Sequence, residues 1–295
     1  MNAVPAVPDL ASLEEKVAGA LDGDGSDLRV LGYGEISCVL AWAAGGDTVA
    51  CKRLPIFDDA AQLAGYRAAL EVYLARLEAA GVRVLPTRLQ ELARPEGGLA
   101  AYCVQPALPE ATLAPAVLAR LSEAEALEAL DRIARRIESA VSQRLGLDGQ
   151  LCNWALVGDD LWYLDITTPM VRDDEGRELL DAKVFLASLP WALRGVVHRF
   201  VLRSILEKYY DPRGVLLDLA GNLYKERLQK LIPGFLRLLE PRLDRAITED
   251  EVRRYYRDDA RTWAMLQSLR RADRFWQRHV RRRTYPFLLP ARIER

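Results

Sequence analysis

Two prolines, Pro106 and Pro109, divide the chain into a first part rich in β-forming residues and a second part that is mainly helical. In the first part, five β-forming runs surround one helix-periodic stretch at 60–80, which gives the order βββαββ. In the second part nearly every stretch has helical periodicity, apart from one β-hairpin at 151–167. An antiparallel sheet with one helix, followed by a helical unit, is typical of the α+β class.

The same division predicts the domain organisation. We expect an N-terminal extension at 1–26 with a short helix at 10–21, a β lobe at 27–108, and a helical lobe at 109–295 that contains the hairpin. Ser122 and Glu125 form a capping-box pattern that begins a helix ending near residue 144, and Thr248 and Glu251 form a second such pattern. Further helices are predicted at about 178–189, 191–209, 214–231, 234–243 and 249–282.

Composition is that of an ordinary globular protein, with 50% hydrophobic and 28% charged residues in 295. No run approaches the roughly 20 apolar residues of a membrane span, so we expect no membrane contact. The first 17 residues have neither the basic segment nor the apolar segment of a secretory signal. A cytoplasmic location is therefore expected.

The cysteines lie singly in apolar, strand-like runs, and no two have the spacing of zinc ligands. Neither of the two histidines has a cysteine or carboxylate cluster beside it. We therefore expect no transition-metal site and predict that the thiols are buried and free. They are Cys38, Cys51, Cys103 and Cys152.

Charge is unevenly distributed along the chain. From Arg253 to the end there are 13 arginines and four acidic residues, a net charge of +9, so residues 1–252 carry −10. The basic segment could bind the phosphates of a nucleic acid, or it could be the solvated face of a helix. The sequence leaves both interpretations open and favours the second.

The sequence LGYGEIS at 31–37 lies where the first two predicted strands meet. Gly32 and Gly34 could be there because a hairpin turn at this point requires positive φ angles, which glycine adopts readily. They could equally form a flap whose backbone lies over phosphate groups, where a side chain would obstruct the contact.

Lys52 lies on the third predicted strand among apolar neighbours, in a chain with only six lysines among 41 basic residues. A compact ammonium suits the α- and β-phosphates of a nucleotide better than a forked guanidinium. Glu71, in the middle of the following helix, is the predicted partner that holds it. The alternative is an ordinary surface lysine whose head reaches solvent.

Three polar residues surround the predicted hairpin. Asp148 and Asn153 lie five apart on the segment that enters it, and Asp165 ends its second strand. A hairpin brings its two ends together, so two carboxylates and an amide are expected to converge. Phosphoryl transfer needs such a set, as oxygen ligands for Mg²⁺ and as a base for the attacking hydroxyl.

With these motifs in this order, the chain resembles the aminoglycoside-phosphotransferase-like branch of the protein-kinase-like superfamily over about residues 27–170. The resemblance implies a bilobal protein-kinase-like fold with a five-stranded antiparallel N-lobe sheet, one N-lobe helix and a mainly helical C-lobe. The segments YYDPRGVLLDLAGNLYKERL and RRRTYPFLLPARIER also resemble an uncharacterised bacterial kinase-like family of unknown function.

The resemblance implies ATP as co-substrate and Mg²⁺ as cofactor. It assigns Asp148 as base, Lys52 as phosphate contact and Glu71 as the residue that orients Lys52. It further implies Mg²⁺ ligation by Asn153 and Asp165. The implied nucleotide flap is Gly32, Gly34 and Ser37, and the implied adenine-binding hinge runs from Gln105 through Ala107 to Leu108.

The chain departs from the family at two motif positions. Members usually have histidine two residues before the catalytic aspartate, where this chain has Gly146. Many have an aromatic-glycine pair or a similar pair after the metal-binding aspartate, where this chain has Ile166 and Thr167. No anchor motif follows, so we expect no regulated activation loop.

The interpretation that follows is an ATP- and Mg²⁺-dependent phosphotransferase acting on a hydroxyl of a small molecule or modified peptide. One alternative is a pseudokinase that binds nucleotide or serves as a scaffold without catalysis. Another is nucleic-acid binding through the basic C-terminal helix. Because that region is basic, we expect an acceptor that is not polycationic.

Overall fold

The structure is a computed structural model that describes residues 4, 6–7, 9–23, 28–33, 38–186, 206–282, 284–285 and 287–289. The class is α+β, with a five-stranded antiparallel sheet followed by mainly helical structure and one two-stranded hairpin. Among the described residues, no helix combines the length and the apolar composition that crossing a membrane requires.

The order of elements in the first part is the predicted one. Helix α1 comes first, β1 to β3 follow, α2 comes next and β4 and β5 complete the sheet in the order β1-β2-β3-β5-β4. Their bounds are α1 Leu10–Asp22, β1 Val30–Tyr33, β2 Cys38–Ala44, β3 Asp47–Arg53, α2 Ala60–Ala79, β4 Arg88–Ala93 and β5 Leu99–Pro106.

The second part begins with two helices, and the hairpin of β6 and β7 follows them. Single 3₁₀ turns lie before α3, before β6, before α6 and on both sides of α7. The elements are α3 Ala114–Arg120, α4 Glu123–Ala140, β6 Trp154–Val157, β7 Asp160–Tyr163, α5 Ala182–Leu186, α6 Pro212–Lys225, α7 Ile232–Leu239 and α8 Glu249–His279.

Several predicted helix bounds were wrong. Helix α4 begins with the expected capping box of Ser122 and Glu125 but ends at Ala140, because Ser142 and Leu145 form a β-bridge instead. The predicted helix at 178–189 is reduced to α5, and 214–231 divides into α6 and a 3₁₀ turn. Most of the predicted 191–209 helix lies outside the described residues.

The second capping box is only half formed. Thr248 accepts a hydrogen bond from the backbone N–H of Glu251 at 3.2 Å, as predicted. The carboxylate of Glu251 does not return the contact, because it binds Arg213 at 2.7 and 2.9 Å. Only one of the two capping-box hydrogen bonds is therefore formed, and the Glu251 carboxylate links α8 to α6 instead.

The two faces of the sheet pack against different parts of the chain. On one face, α1 shares a buried core with the strands through Leu13, Val17, Leu40, Val49 and Tyr102. On the other face, α2 and the helical part form one continuous core. The first 26 residues thus contribute a helix to the packing of the sheet, while the predicted domain boundaries stay a prediction.

A buried ion pair fastens α1 to the sheet. Glu14 accepts hydrogen bonds from Arg53 at 2.6 and 2.9 Å and from the Tyr102 hydroxyl at 2.5 Å. Glu14 and Arg53 are each less than 10% exposed. Burial opposes the charge of Glu14, but the hydrogen bonds and charges of its partners outweigh burial and lower its pKa.

We predict that Glu14→Ala lowers the free energy of unfolding by about 3 kcal/mol, because it leaves the Arg53 guanidinium buried without its carboxylate. Since the folded pKa of Glu14 is depressed, its contribution is present above its ordinary pKa of 4.5 and is lost as the pH falls through the lower folded value. Urea unfolding from pH 3 to 7 measures both effects. Glu15→Ala, at an exposed position of the same helix, is the control, and equal losses from both variants would contradict the prediction.

Candidate functional site

Strand β3 places two adjacent cations on opposite faces of the sheet. Val49, Cys51 and Arg53 face α1, so Lys52 faces the helical part. Lys52 pairs with Cys103 of β5 and Val39 of β2, and its side chain is 18% exposed. Its ammonium donates a hydrogen bond of 2.8 Å to Oδ1 of Asp165, 113 residues further along the chain.

The hairpin brings Asn153 and Asp165 to one end, as predicted. Trp154 pairs with Tyr163, and the backbone N–H of Leu164 donates to the carbonyl of Asn153 at 2.9 Å. The far end is closed by Gly158, whose φ of +59° suits a tight turn. The polar residues before and after the hairpin are therefore neighbours.

The hydrogen bonds that described residues donate to the Asp165 carboxylate all fall on one oxygen. Oδ1 accepts from Lys52, from the Thr167 hydroxyl at 2.8 Å and from the Thr167 backbone N–H at 3.2 Å. Oδ2 accepts none from the residues that the structure describes. Burial opposes ionisation, but the charge and hydrogen bonds of Lys52, with those of Thr167, lower the pKa of Asp165 below its usual range.

Asp148 is bonded directly to the hairpin. Its backbone carbonyl accepts from Asn153 Nδ2 at 3.3 Å and from the Tyr163 hydroxyl at 3.2 Å. Its carboxylate Oδ1 accepts from the backbone N–H of Gln150 at 3.1 Å, which fixes the side chain in a tight local turn. The structure thus brings together Lys52, Asp148, Asn153 and Asp165.

The loop before Asp148 has no room for a side chain at position 146. A Cβ atom at Gly146 would lie 2.9 Å from Cβ of Met170 and 3.2 Å from the carbonyl of Tyr209. Tyrosine hydroxyls support the loop instead: Tyr73 donates to the carbonyl of Gly146 at 3.2 Å, and Tyr163 donates to that of Asp148. Hydroxyl groups of α2 and of the hairpin therefore hold the carbonyls of this loop.

The predicted partnership of Lys52 with Glu71 was wrong. The inward face of α2 consists of Leu63, Tyr66, Leu70 and Tyr73 together with their helical neighbours, and Glu71 lies on the exposed face. Among the described residues, Glu71 makes no ion pair, and Asp165 has taken its place at Lys52.

Two tyrosines of α2 are site residues that sequence reasoning missed. The Tyr66 hydroxyl donates to the carbonyl of Thr167 at 3.0 Å, and Tyr73 binds the Asp148 loop as described above. Their helical spacing was the available signal, because it already placed both on the inward face.

The two carboxylates share one electrostatic neighbourhood. Burial raises the pKa of Tyr73, and the charges of Asp165 and Asp148 raise it further. Burial also raises the pKa of Cys152 to about 11, with Lys225 opposing and Asp148 and Asp165 adding to the shift. All the cysteines are free, and all except the half-buried Cys152 are buried, so the predicted free thiols are confirmed.

The predicted hinge contacts both parts of the chain. Gln105 donates from Nε2 to the carbonyl of Leu164 and to the Thr87 hydroxyl, each at 3.0 Å. The backbone N–H of Ala107 donates to the carbonyl of Thr48 at 3.2 Å, and Leu108 is half-buried. Adenine binding at this hinge stays a prediction.

The predicted flap is described only in part. Gly32 lies in β1 opposite Val39, and a Cβ atom there would meet no other atom within 4 Å. Gly34 and Ser37 lie outside the described residues.

Oxygen atoms suited to a hard cation are present at the hairpin. Asp165 offers Oδ2, and Asn153 is oriented by its Nδ2 hydrogen bond so that Oδ1 receives only a 3.8 Å contact from the Cys152 thiol. Mg²⁺ prefers oxygen ligands and retains several waters, so one carboxylate and one amide suit it. Within the described part of the chain, no cluster of three or more His, Cys, Asp or Glu residues could hold a metal ion.

The basic C-terminal segment is mostly helix α8, and its arginines differ in exposure. Arg253, Arg254, Arg257 and Arg261 are exposed, whereas Arg270 is buried and lies 5.7 Å from the ring of Phe287. Nucleic-acid binding by this helix stays a prediction.

A family model described as a family of unknown function, DUF6206, matches residues 12–274. No curated protein matches the sequence. Among solved structures, WaaP in complex with acyl carrier protein is 18% identical with a TM-score of 0.31, over 78% of this chain and 99% of WaaP. The kinase domain of Mycobacterium tuberculosis PknI is 14% identical with a TM-score of 0.31, over 69% of this chain and 93% of that domain. At these TM-scores neither likeness carries an argument, and the aminoglycoside-phosphotransferase-like branch stays a prediction.

We predict that Lys52 and Asp165 are energetically coupled and that Lys52 and Glu71 are not. A double-mutant cycle of Lys52→Met with Asp165→Asn should give a coupling of about 1 kcal/mol in the free energy of unfolding, because the pair is hydrogen-bonded and largely buried. The matched cycle with Glu71→Gln should give a coupling near zero. A larger coupling to Glu71 than to Asp165 would contradict this geometry.

Proposed function

We propose that this chain, which belongs to the family of unknown function DUF6206, is a protein-kinase-like phosphotransferase. It would use ATP and Mg²⁺ to phosphorylate a hydroxyl group. The ion pair between Lys52 and Asp165 carries the proposal. It joins the middle of the sheet to the end of the hairpin, directly beside Asp148 and Asn153. These are the residue types that phosphoryl transfer needs within one cleft.

Lys52 is the proposed phosphate contact, and the end of the hairpin is the proposed metal site. Asn153 Oδ1 and Asp165 Oδ2 would hold Mg²⁺, which supplies positive charge to the phosphates of bound ATP. Asp165 would keep Lys52 oriented through Oδ1 while Oδ2 faces the cation. Glu71 has no part in this proposal, because it lies on the exposed face of α2.

Asp148 is the proposed general base. Its carboxylate is fixed by Gln150 and its main chain by Asn153 and Tyr163, so it is held beside the cation ligands without serving as one. From there it would orient an acceptor hydroxyl and take its proton as the phosphoryl group is transferred. Gly32, Gly34 and Ser37 remain the proposed nucleotide flap, and Gln105 to Leu108 the proposed hinge.

A pseudokinase is the second candidate, and two observations favour it. The helix that would supply the orienting glutamate presents tyrosines to the site, and the N–H of Ala107 in the proposed hinge is already bonded to Thr48. The intact set of Lys52, Asp148, Asn153 and Asp165 favours catalysis. Only the phosphotransferase requires Asp148 as a base, whereas a pseudokinase would not.

Nucleotide binding is tested first. We predict that saturating MgATP raises the melting temperature, since a ligand at 100 times its Kd adds about 2.7 kcal/mol of stability. Lys52→Ala should weaken the shift and Asp165→Ala should abolish its dependence on Mg²⁺, while Glu71→Gln should leave it unchanged. If ATP and GTP both leave the melting temperature of the wild type unaltered, the proposed site is wrong.

Catalysis is tested separately through Asp148. We predict that Asp148→Asn binds MgATP within about threefold of the wild type but loses about 10²–10⁴-fold in turnover, because a positioned base contributes about that much. ADP release against a panel of hydroxyl-bearing metabolites measures the turnover. A variant that retains full ADP release would remove Asp148 from the mechanism, and a wild type with MgATP binding but no turnover favours the pseudokinase.

A further inference from the structure

A polar recess opens between α6, α8 and the loop that follows Asp148. Asp218, Asn222 and Lys225 line it from α6, at the spacing of one helix face. Tyr255 and Asp259 line it from α8, and Gln150 lines it from the loop. The proposed phosphotransfer residues Lys52, Asp148, Asn153 and Asp165 are not part of its wall, but Gln150, which contacts Asp148, is.

Asn222, one of the residues that line this recess, has an acceptor atom that no described residue satisfies. The residue is 7% exposed and its Nδ2 donates to the carbonyl of Asp218 at 2.9 Å. Its Oδ1 is buried and accepts no hydrogen bond. Leaving a buried acceptor unpaired costs about 1–3 kcal/mol, so an added donor at this point would be favourable.

Lys225 connects the recess to the proposed base. Its ammonium donates to Oε1 of Gln150 at 3.2 Å, and the backbone N–H of Gln150 donates to the carboxylate of Asp148. A molecule seated between Asn222 and Lys225 would therefore lie close to Gln150, which contacts the Asp148 carboxylate directly.

The polar groups of the recess favour a neutral ligand group that can both donate and accept hydrogen bonds. Asn222 Oδ1 requires a donor, whereas the Lys225 ammonium offers one. An ammonium ligand could donate to Asn222 Oδ1, but it has no lone pair with which to accept from Lys225. A carboxylate or phosphate could only accept, and it would face Asp218, whose burial already raises its pKa, as well as Asp259. A hydroxyl group meets both requirements without adding charge.

We propose that this recess binds a hydroxyl group of a neutral polyol and thereby holds the phosphate acceptor next to Asp148. The inference rests on the proposed function for the identity of the acceptor, but binding in the recess does not require nucleotide. It assigns Asn222 and Lys225 as the residues that position the acceptor.

Ligand-observed saturation-transfer NMR on the full chain tests the inference without any catalytic step. The probes are glycerol, myo-inositol and D-glucose as neutral polyols, glucosamine and spermidine as amines, and glucose 6-phosphate as an anion. We predict binding of at least one neutral polyol, more tightly than any amine or anion. Asn222→Leu and Lys225→Met should each weaken it about tenfold, since each removes one hydrogen-bonding partner.

Matched controls keep the outcome clear. Lys230→Met and Gln229→Leu change exposed residues just beyond α6 and should leave polyol binding unaltered. Circular dichroism melting verifies that Asn222→Leu is folded, and Lys225→Met tests the recess independently of that variant. Absence of binding by every neutral polyol, tighter binding of an amine, or polyol binding as tight as the wild type in both recess variants would each overturn the inference.

The same samples separate this inference from the proposed function. A wild type that responds to MgATP but binds no polyol rejects the recess and keeps the nucleotide site. A wild type that binds polyol through Asn222 and Lys225 but shows no MgATP shift rejects the phosphotransferase and keeps the recess.

Discussion

Two neighbouring cations on one strand, Lys52 and Arg53, determine how the parts of this protein fit together. Alternation along β3 directs them to opposite faces, and each face is too well buried to leave a charge unpaired. Glu14 of α1 neutralises Arg53 on one side, and Asp165 of the hairpin neutralises Lys52 on the other. A helix before the sheet and a hairpin after it are thus fixed to adjacent residues of one strand, the helix to Arg53 and the hairpin to Lys52.

The sequence predicted the sheet, the hairpin and the convergence of Asp148, Asn153 and Asp165, because strand alternation and hairpin closure are local rules. It predicted the partner of Lys52 incorrectly. Helical spacing that turns Tyr66 and Tyr73 inward necessarily turns Glu71 outward, yet choosing between candidate partners requires the three-dimensional position of Asp165. Contacts between residues more than 100 positions apart leave no periodic signal.

The Asp148 loop is supported by residues that lie far from it in the sequence. Gly146 packs so closely against Met170 that no side chain fits, and hydroxyls from α2 and β7 hold the loop carbonyls instead. The sequence does not reveal that Tyr73 and Tyr163 support this loop, since they lie on separate elements. The hydrogen bonds of Tyr73 and Tyr163 join α2, the loop and the hairpin into one unit.

The hairpin is bonded to the first part of the chain, although it lies within the second. Tyr163 exchanges backbone hydrogen bonds with residues 83 and 85, and Gln105 binds the carbonyl of Leu164. The Asp148 loop is instead anchored to the helical part, through the contacts of Leu147 with Tyr209 and of Gly149 with Val215. Because Tyr73 and Tyr163 also bond the loop to α2 and to the hairpin, the Asp148 loop is held from both parts of the chain. A rotation of the sheet relative to the helices would have to break hydrogen bonds of this loop on one side or the other, so the same contacts that place Asp148 beside the hairpin also resist such a movement.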